Sequence, residues 1–501
     1  ETIYESVGAN SPMYEVMQAI NLLAQRTSGK ALETDVMKMV PEYSGLESPF
    51  AAFEKELYAI EHTIRSKDSE FYTTALDINF KQLLILHGQC NDFVEKAFQN
   101  SSKFGISLRV NQNLLSIKQH LYRIGVLLPL LVIDKPEEKK SKSIELAIKL
   151  VKYNCLKTNV RKLFAESTQL LSYEITQHTA KTGEHYITES KTEYFKMLYA
   201  AIGGGLIVGI LCIIKLLLSK LETSDFGHAF FYSMNYSFGF IAIYILGFTL
   251  ATKQPAMTAA ALISALEDGL KKQANGDGEK HNSFAVLFAR LFRSQFIAFV
   301  GNVVMAFPVA LLGIWLIDLG FNYNIAETKW EKLVTDLSPV HSLAIFHAAI
   351  AGFFLFLSGI ISGSIANRDK HFNVYYRIQE HPLLKLNFGK VKAENISKWY
   401  EKFWAGIVSN FWFGIFLGST ASIGLFLGLN LDIRHITFAS GNLALAVYGA
   451  DYMVNNVMLF WGILGIGIIG FVNFLVSFSL SLGLAFRSRD IPLTELRPII
   501  T

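Results

Sequence analysis

In the stretch LDIRHITFASGNLALA (Leu431–Ala446), an acid, a base and an imidazole, Asp432, Arg434 and His435, stand within four residues, with long apolar runs on either side. Ionisable groups at membrane depth are costly unless paired or wetted, which makes such a cluster a candidate site. Asp432 and Arg434 are spaced to form an ion pair, His435 is the side chain type that titrates near neutral pH, and Ser440 and Asn442 offer hydrogen bonds further along. Two roles fit these residues. One is a substrate or proton site. The other is a structural lock that pins a re-entrant segment, since the apolar piece LALAVYG is too short to cross a bilayer.

A second constellation, Thr252-Lys253-Gln254-Pro255, closes the second apolar run. Pro255 can open a helix with Thr252 as its cap. The free N–H groups of that helix start, beside Lys253 and Gln254, would attract an anion or a lipid headgroup. A plain positive anchor at the membrane surface accounts for the same residues. No Walker loop, GxSxG elbow, HExxH motif or paired CxxC occurs, so hydrolase and nucleotide-binding chemistry, a bound metal and a cofactor are not expected.

The elements that must hold these residues are set by composition. The chain has 501 residues, 51% of them hydrophobic and 18% charged, against about 25% charged in soluble proteins; its mean hydropathy is +0.31. Residues 1–195 carry 23 basic and 24 acidic residues, and residues 196–501 carry 23 and 18. The first part therefore reads as a soluble all-α domain and the second as a transmembrane domain. Helical periodicity runs through 13–24, 50–64, 69–98, 107–132, 143–154 and 158–179, with RIGVLLPLLVID (123–134) expected as a buried helix. Six spans of the roughly 20 apolar residues that a bilayer demands are expected at 197–218, 226–250, 294–317, 341–365, 403–429 and 456–486. Lys and Arg number 17 in the loops 252–293, 366–402 and 487–501 and 4 in the alternate loops. Positive charge stays inside, which predicts both termini and the soluble domain in the cytoplasm. Cys90, Cys155 and Cys212 lie too far apart for a disulfide framework. The opening ETIYESVGANSPM has neither a basic nor an apolar leader region, and the natural start is expected upstream.

Several stretches carry a family likeness: TGEHYITESKTEYFKMLYAAIGGG (182–205), LGFTLATKQPAMTAAAL (246–262), RSQFIAFVGNVVMAFP (293–308), FLSGIISGSIANRDKHF (356–372) and GLNLDIRHITFASGNLA (428–444). Together they resemble the bacterial integral membrane family of site-specific recombinases called Gcr. The resemblance implies an enzyme that cuts and rejoins DNA. Read from the residues themselves, His120-Leu-Tyr-Arg123 supplies an H-x-x-R pair without a surrounding catalytic frame. The stretch NRDKHFNVYYRIQEHP (367–382) holds suitable side chain types, yet compressed between two spans, where a basic and aromatic belt at the lipid surface is expected. DNA binding draws on clustered basic charge, and the soluble part has none to spare.

The residues lead to an all-α integral protein of the bacterial inner membrane, with a helical cytoplasmic domain followed by a six-helix bundle. Its expected role is non-enzymatic: transport of a solute or lipid, or scaffolding of an envelope assembly. Membrane lipids are the expected partners, with room for a protein partner and none foreseen for nucleic acid. Site-specific DNA recombination is the alternative that the resemblance implies.

Overall fold

The computed structural model describes residues 12–43, 45, 47–66, 77–132, 136–156, 169, 172–176, 188, 190–251, 258, 259, 261–263 and 277–488. Among these residues the regular elements are helices, and no β-strand occurs. The chain divides into two compact units, Glu1–Leu171 and Ser172–Thr501.

The first unit is built on α1 (Pro12–Ala31), α2 (Pro49–Ser66), α3 (Ile78–Gln99), α4 (Leu108–Leu127) and α5 (Pro136–Leu156). Its helices start where short polar side chains can hold free amides. The Asp77 carboxylate accepts the Asn79 N–H at 2.9 Å, and the Ser107 hydroxyl accepts that of Val110 at 3.2 Å. The apolar stripes of α1 to α4 turn inward, and Ile20, Leu57, Leu83, Phe93, Leu114 and Ile117 form a closed core. The described part of the run 123–134, residues 123–132, is buried or half-buried, but only in part as α-helix. Its proline comes just after α4, and a single 3₁₀ turn, Leu128–Leu131, continues the chain. The stretch 158–179 falls largely outside the described residues.

The second unit contains α6 (Lys191–Leu218), α7 (Asp225–Ile245), α8 (Asp277–Phe321), α9 (Trp330–Thr335), α10 (Ala344–His371), α11 (Val374–Gln379), α12 (Pro382–Phe388), α13 (Lys390–Leu427), α14 (Ile436–Gly449) and α15 (Asn456–Ser488). Among the described residues five helices are long and apolar enough to cross a membrane: α6, α8 from Val286 onward, α10, α13 and α15. Sequence patterning leads to six. The difference is α7, which occupies the second expected segment but carries Asp225, His228, Asn235 and three tyrosines along its 21 residues. That polar content places it below the other five.

Two pairs of glycines spaced four apart, Gly205/Gly209 and Gly414/Gly418, seat neighbouring helices. A side chain on Gly205 or Gly209 would meet α8 at Asn302 and Val309. One on Gly414 or Gly418 would overlap the backbone of α7 at Ser237 and Ser233, whose hydroxyls donate across the same contact to the carbonyls of Phe411 (2.8 Å) and Ile415 (3.4 Å). Such close approach substitutes for the hydrophobic drive that lipid removes. The pair Gly424/Gly428 serves otherwise. Gly428 ends α13 with φ +68°, a left-handed cap, and the Leu429 N–H returns to the Gly424 carbonyl at 2.8 Å.

The α7–α13 seam gives a direct test. Replacing Gly418 by Val forces the two helix axes apart, and overpacking of this kind costs about 1–3 kcal/mol or more. Gly418→Val should lower the melting temperature of the detergent-solubilised protein well below that of Gly467→Val, a glycine with open space around it.

Candidate functional site

The chain leaves α13 at Gly428 and turns back into the bundle. By His435 it has reached the level of Phe413, whose ring lies 6.4 Å from the imidazole. Phe413 precedes the end of α13 by about 20 Å of helix axis. There α14 begins, and it runs back outward along α8. Near its start the Thr437 hydroxyl donates to the Asn302 side chain at 3.3 Å, and near its end the Tyr448 hydroxyl donates to Asp318 at 2.7 Å. Almost every residue of α14 is buried. A 14-residue helix therefore stands in the bundle with its N-terminus deep inside and its C-terminus near the end of α8.

Arg434 organises the descending segment. Its guanidinium pairs with Asp432, with the Asp336 carboxylate at 2.8 Å and with the Asp336 carbonyl at 3.1 Å. Its side chain is 11% exposed, and each carboxylate keeps about a third of its surface open. A planar fork suits such a double anchorage, which a lysine could not reproduce. Burial pushes Asp432 toward the neutral acid. Arg434 and Lys215 outweigh that and hold its carboxyl below the ordinary carboxylate range. Lys215, near the end of α6, has its ammonium 5.6 and 5.5 Å from the ring centres of Tyr232 and Tyr236 on α7, within reach of a cation–π attraction.

The backbone of this segment is satisfied from two helices, and a third residue does the same for the chain after α7. Asn473 on α15 donates to the carbonyls of Arg434 (3.0 Å) and Ala348 (2.8 Å) and accepts the Ile436 N–H at 3.2 Å. His347 on α10 holds the Asn430 carbonyl through Nε2 at 3.0 Å, and its own carbonyl accepts the Arg434 N–H at 3.3 Å. Asn302 on α8 donates to Ala201 and Thr249 and accepts from Ala251. His435 caps α14, its Nδ1 accepting the Thr437 N–H at 3.4 Å while the ring lies between Phe413 and Phe438.

Of the residues singled out by sequence, Asp432 and Arg434 are brought together as a pair, and His435 lies beside them as a buried cap. Ser440 is turned to α8, donating to the Val303 carbonyl at 2.8 Å. Asn442 is half-buried further along α14 and bonds to neither the pair nor the histidine. Thr252, Lys253 and Gln254 lie outside the described residues. Among other polar residues on the long helices, Asn302 bonds across to the Ala201 carbonyl of α6, and Asn410 donates to the Gly406 carbonyl one turn earlier. Reasoning from sequence missed Lys215, Asp336, Tyr236 and Asn473. Lys215 carried a signal, a lone cation in the apolar run LCIIKLLL; Asp336, distant in sequence, carried none.

The two recombinase-like patterns are held in structural contacts. Arg368 pairs with the buried Asp369 at 2.8 Å, and the Tyr375 ring packs 6.1 Å from that of Tyr400. His120 is half-buried on α4; burial, followed by Lys30, Arg123 and Arg26, depresses its pKa.

Removing the guanidinium leaves two carboxylates facing each other across a partly dry site. Arg434→Met should cost roughly 3 kcal/mol, the low end for a broken buried pair because both acids keep some water. The double change Asp432→Leu/Arg434→Met should recover part of that loss. Melting temperatures in detergent check the order, and an unchanged value for Arg434→Met would remove Arg434 as the organiser.

No curated protein and no solved structure matches the chain. A family model described as site-specific recombinase matches residues 4–501, with the likeness extending through both units. The chain belongs to the site-specific recombinase family.

Proposed function

We propose that this protein is an integral component of a bacterial inner membrane with a non-enzymatic role, the movement of a solute or lipid across the bilayer. The observation that supports this reading is the broken path between α13 and α15. A short helix that begins deep in a bundle, with cations gathered at its approach, is how many transporters present a helix N-terminus to a charged group. Lys215, Arg434 and the start of α14 supply that arrangement, and Asp432 and Asp336 occupy the cations in the state described here. A transported acid would exchange with these carboxylates.

In this reading α7 is the sixth span. The excess of Lys and Arg in 252–293, 366–402 and 487–501 argues for cytoplasmic termini and a cytoplasmic first unit. A second reading, a scaffold for an envelope assembly with a protein partner, is favoured by the saturation of Arg434, which leaves the node a lock. The family's description would instead imply cutting and rejoining DNA. A protein doing so should bind duplex with an affinity that falls steeply as salt rises, whereas residues 1–195 hold one more acidic than basic residue.

Single cysteines decide among these. In intact cells Asn387→Cys should resist a membrane-impermeant thiol reagent and Glu327→Cys should react. The reverse pattern would overturn the orientation. Leu431→Cys should also react from outside if the descent is a wetted solute path, and should stay silent if α14 is locked into a dry scaffold. Salt-sensitive duplex binding by the purified protein would restore the recombinase reading.

A further inference from the structure

The opposite end of the bundle carries a surface that the polar node does not use. After α10 ends at His371, two short helices, α11 and α12, precede the long α13. The α11 helix is fixed against α13 by polar and aromatic contacts. The Ser397 hydroxyl donates to the Tyr375 carbonyl at 2.6 Å, the Tyr375 ring packs on Tyr400, and Tyr400 stacks on Trp404 with centroids 5.3 Å apart. This level of α13 lies about 35–45 Å along the axis from its far end at Leu427, which matches the thickness of a bilayer with its headgroups. Tyr and Trp collect at such interfaces.

Around that level, apolar side chains are left open. Leu383 and Leu386 on α12 are 61% and 81% exposed, and Val391 at the start of α13 is 72% exposed. Basic residues stand among them. Lys385 is paired with Glu380, while Arg377, Lys390 and Lys392 make no ion pair among the described residues. Apolar groups interleaved with unpaired cations are the composition of an element that lies in an anionic lipid interface.

We propose that α11 and α12 form an interfacial anchor resting in the cytoplasmic leaflet, with Leu383 and Leu386 among the acyl chains and Arg377, Lys390 and Lys392 on anionic phospholipid headgroups. The anchor rests on the membrane reading above. It adds a preference for acidic lipid that the span pattern alone does not contain.

A nitroxide attached at Leu386→Cys, in a Cys155→Ser background, tests this in proteoliposomes. In vesicles containing phosphatidylglycerol, the label should collide more readily with oxygen than with a water-soluble nickel chelate. In pure phosphatidylcholine, or after Arg377→Gln/Lys390→Gln/Lys392→Gln, the balance should shift toward the chelate. A label open to the chelate in both lipids would overturn the anchor. So would one shielded from both probes, because that result assigns the surface to a protein, either a second copy or a partner. A control label at Phe353→Cys, in the middle of the expected span 341–365, keeps the two readings apart: if it too meets the chelate, the membrane reading fails and not the anchor alone.

Discussion

A helix that breaks inside an apolar bundle exposes amides and carbonyls that have no water to turn to, and each must find a partner in the protein. Two asparagines meet that demand here. Asn302 and Asn473 are fully buried, and each uses both its donors and its acceptor. Asn302 ties the irregular chain after α7 to α6 and to the start of α14. Asn473 ties the descending segment to α10 and α15. An amide side chain is suited to this work because it presents the same groups as the backbone it replaces. The unusual path of the chain, down from α13 and back along α8, depends on these two residues more than on any apolar contact.

The charged residues build on that arrangement from the side chains. Asn473 and His347 fix the backbone of 430–436, so the Arg434 side chain emerges toward Asp336 and Asp432. The two acids compensate the guanidinium, and Lys215 adds a further cation cushioned by aromatic rings. The node is thus a local balance of charge at the point where α9, α13 and α14 converge. The same geometry that satisfies the backbone sets paired cations and acids together at a helix start.

Much of the architecture was legible in the amino-acid sequence because lipid imposes a length and a polarity on every spanning helix. All six segments were read that way, and five of them are helices long and apolar enough to cross. The segment 226–250 falls short, since α7 faces its neighbours with Asn235, Ser233 and Ser237 and so carries polar residues that lower its hydropathy. The Asp432–Arg434 pair was legible because its partners are two residues apart. Asp336 and Asn473 were not, because their contacts join residues far apart in the chain and follow no period. Ser440 and Asn442 were drawn into the site by proximity in sequence, and α14 turns Ser440 away to Val303. The DNA-cutting activity implied by resemblance rests on residue types alone. In the fold Arg368 is committed to Asp369, and Tyr375 packs against Tyr400.

The order in which the partners of α14 are synthesised bears on how the protein is made. His347 precedes the descending segment in the chain and Asn473 follows it. While residues 428–449 emerge, the Asn473 groups that will satisfy part of their backbone are not yet in place, and α14 is too short to settle across the membrane by itself. It must wait, half-partnered, until α15 has been inserted. Completion of the last span therefore acts as the closing step of biogenesis, and a chain halted before it would present the membrane's quality control with an unsatisfied, charged segment.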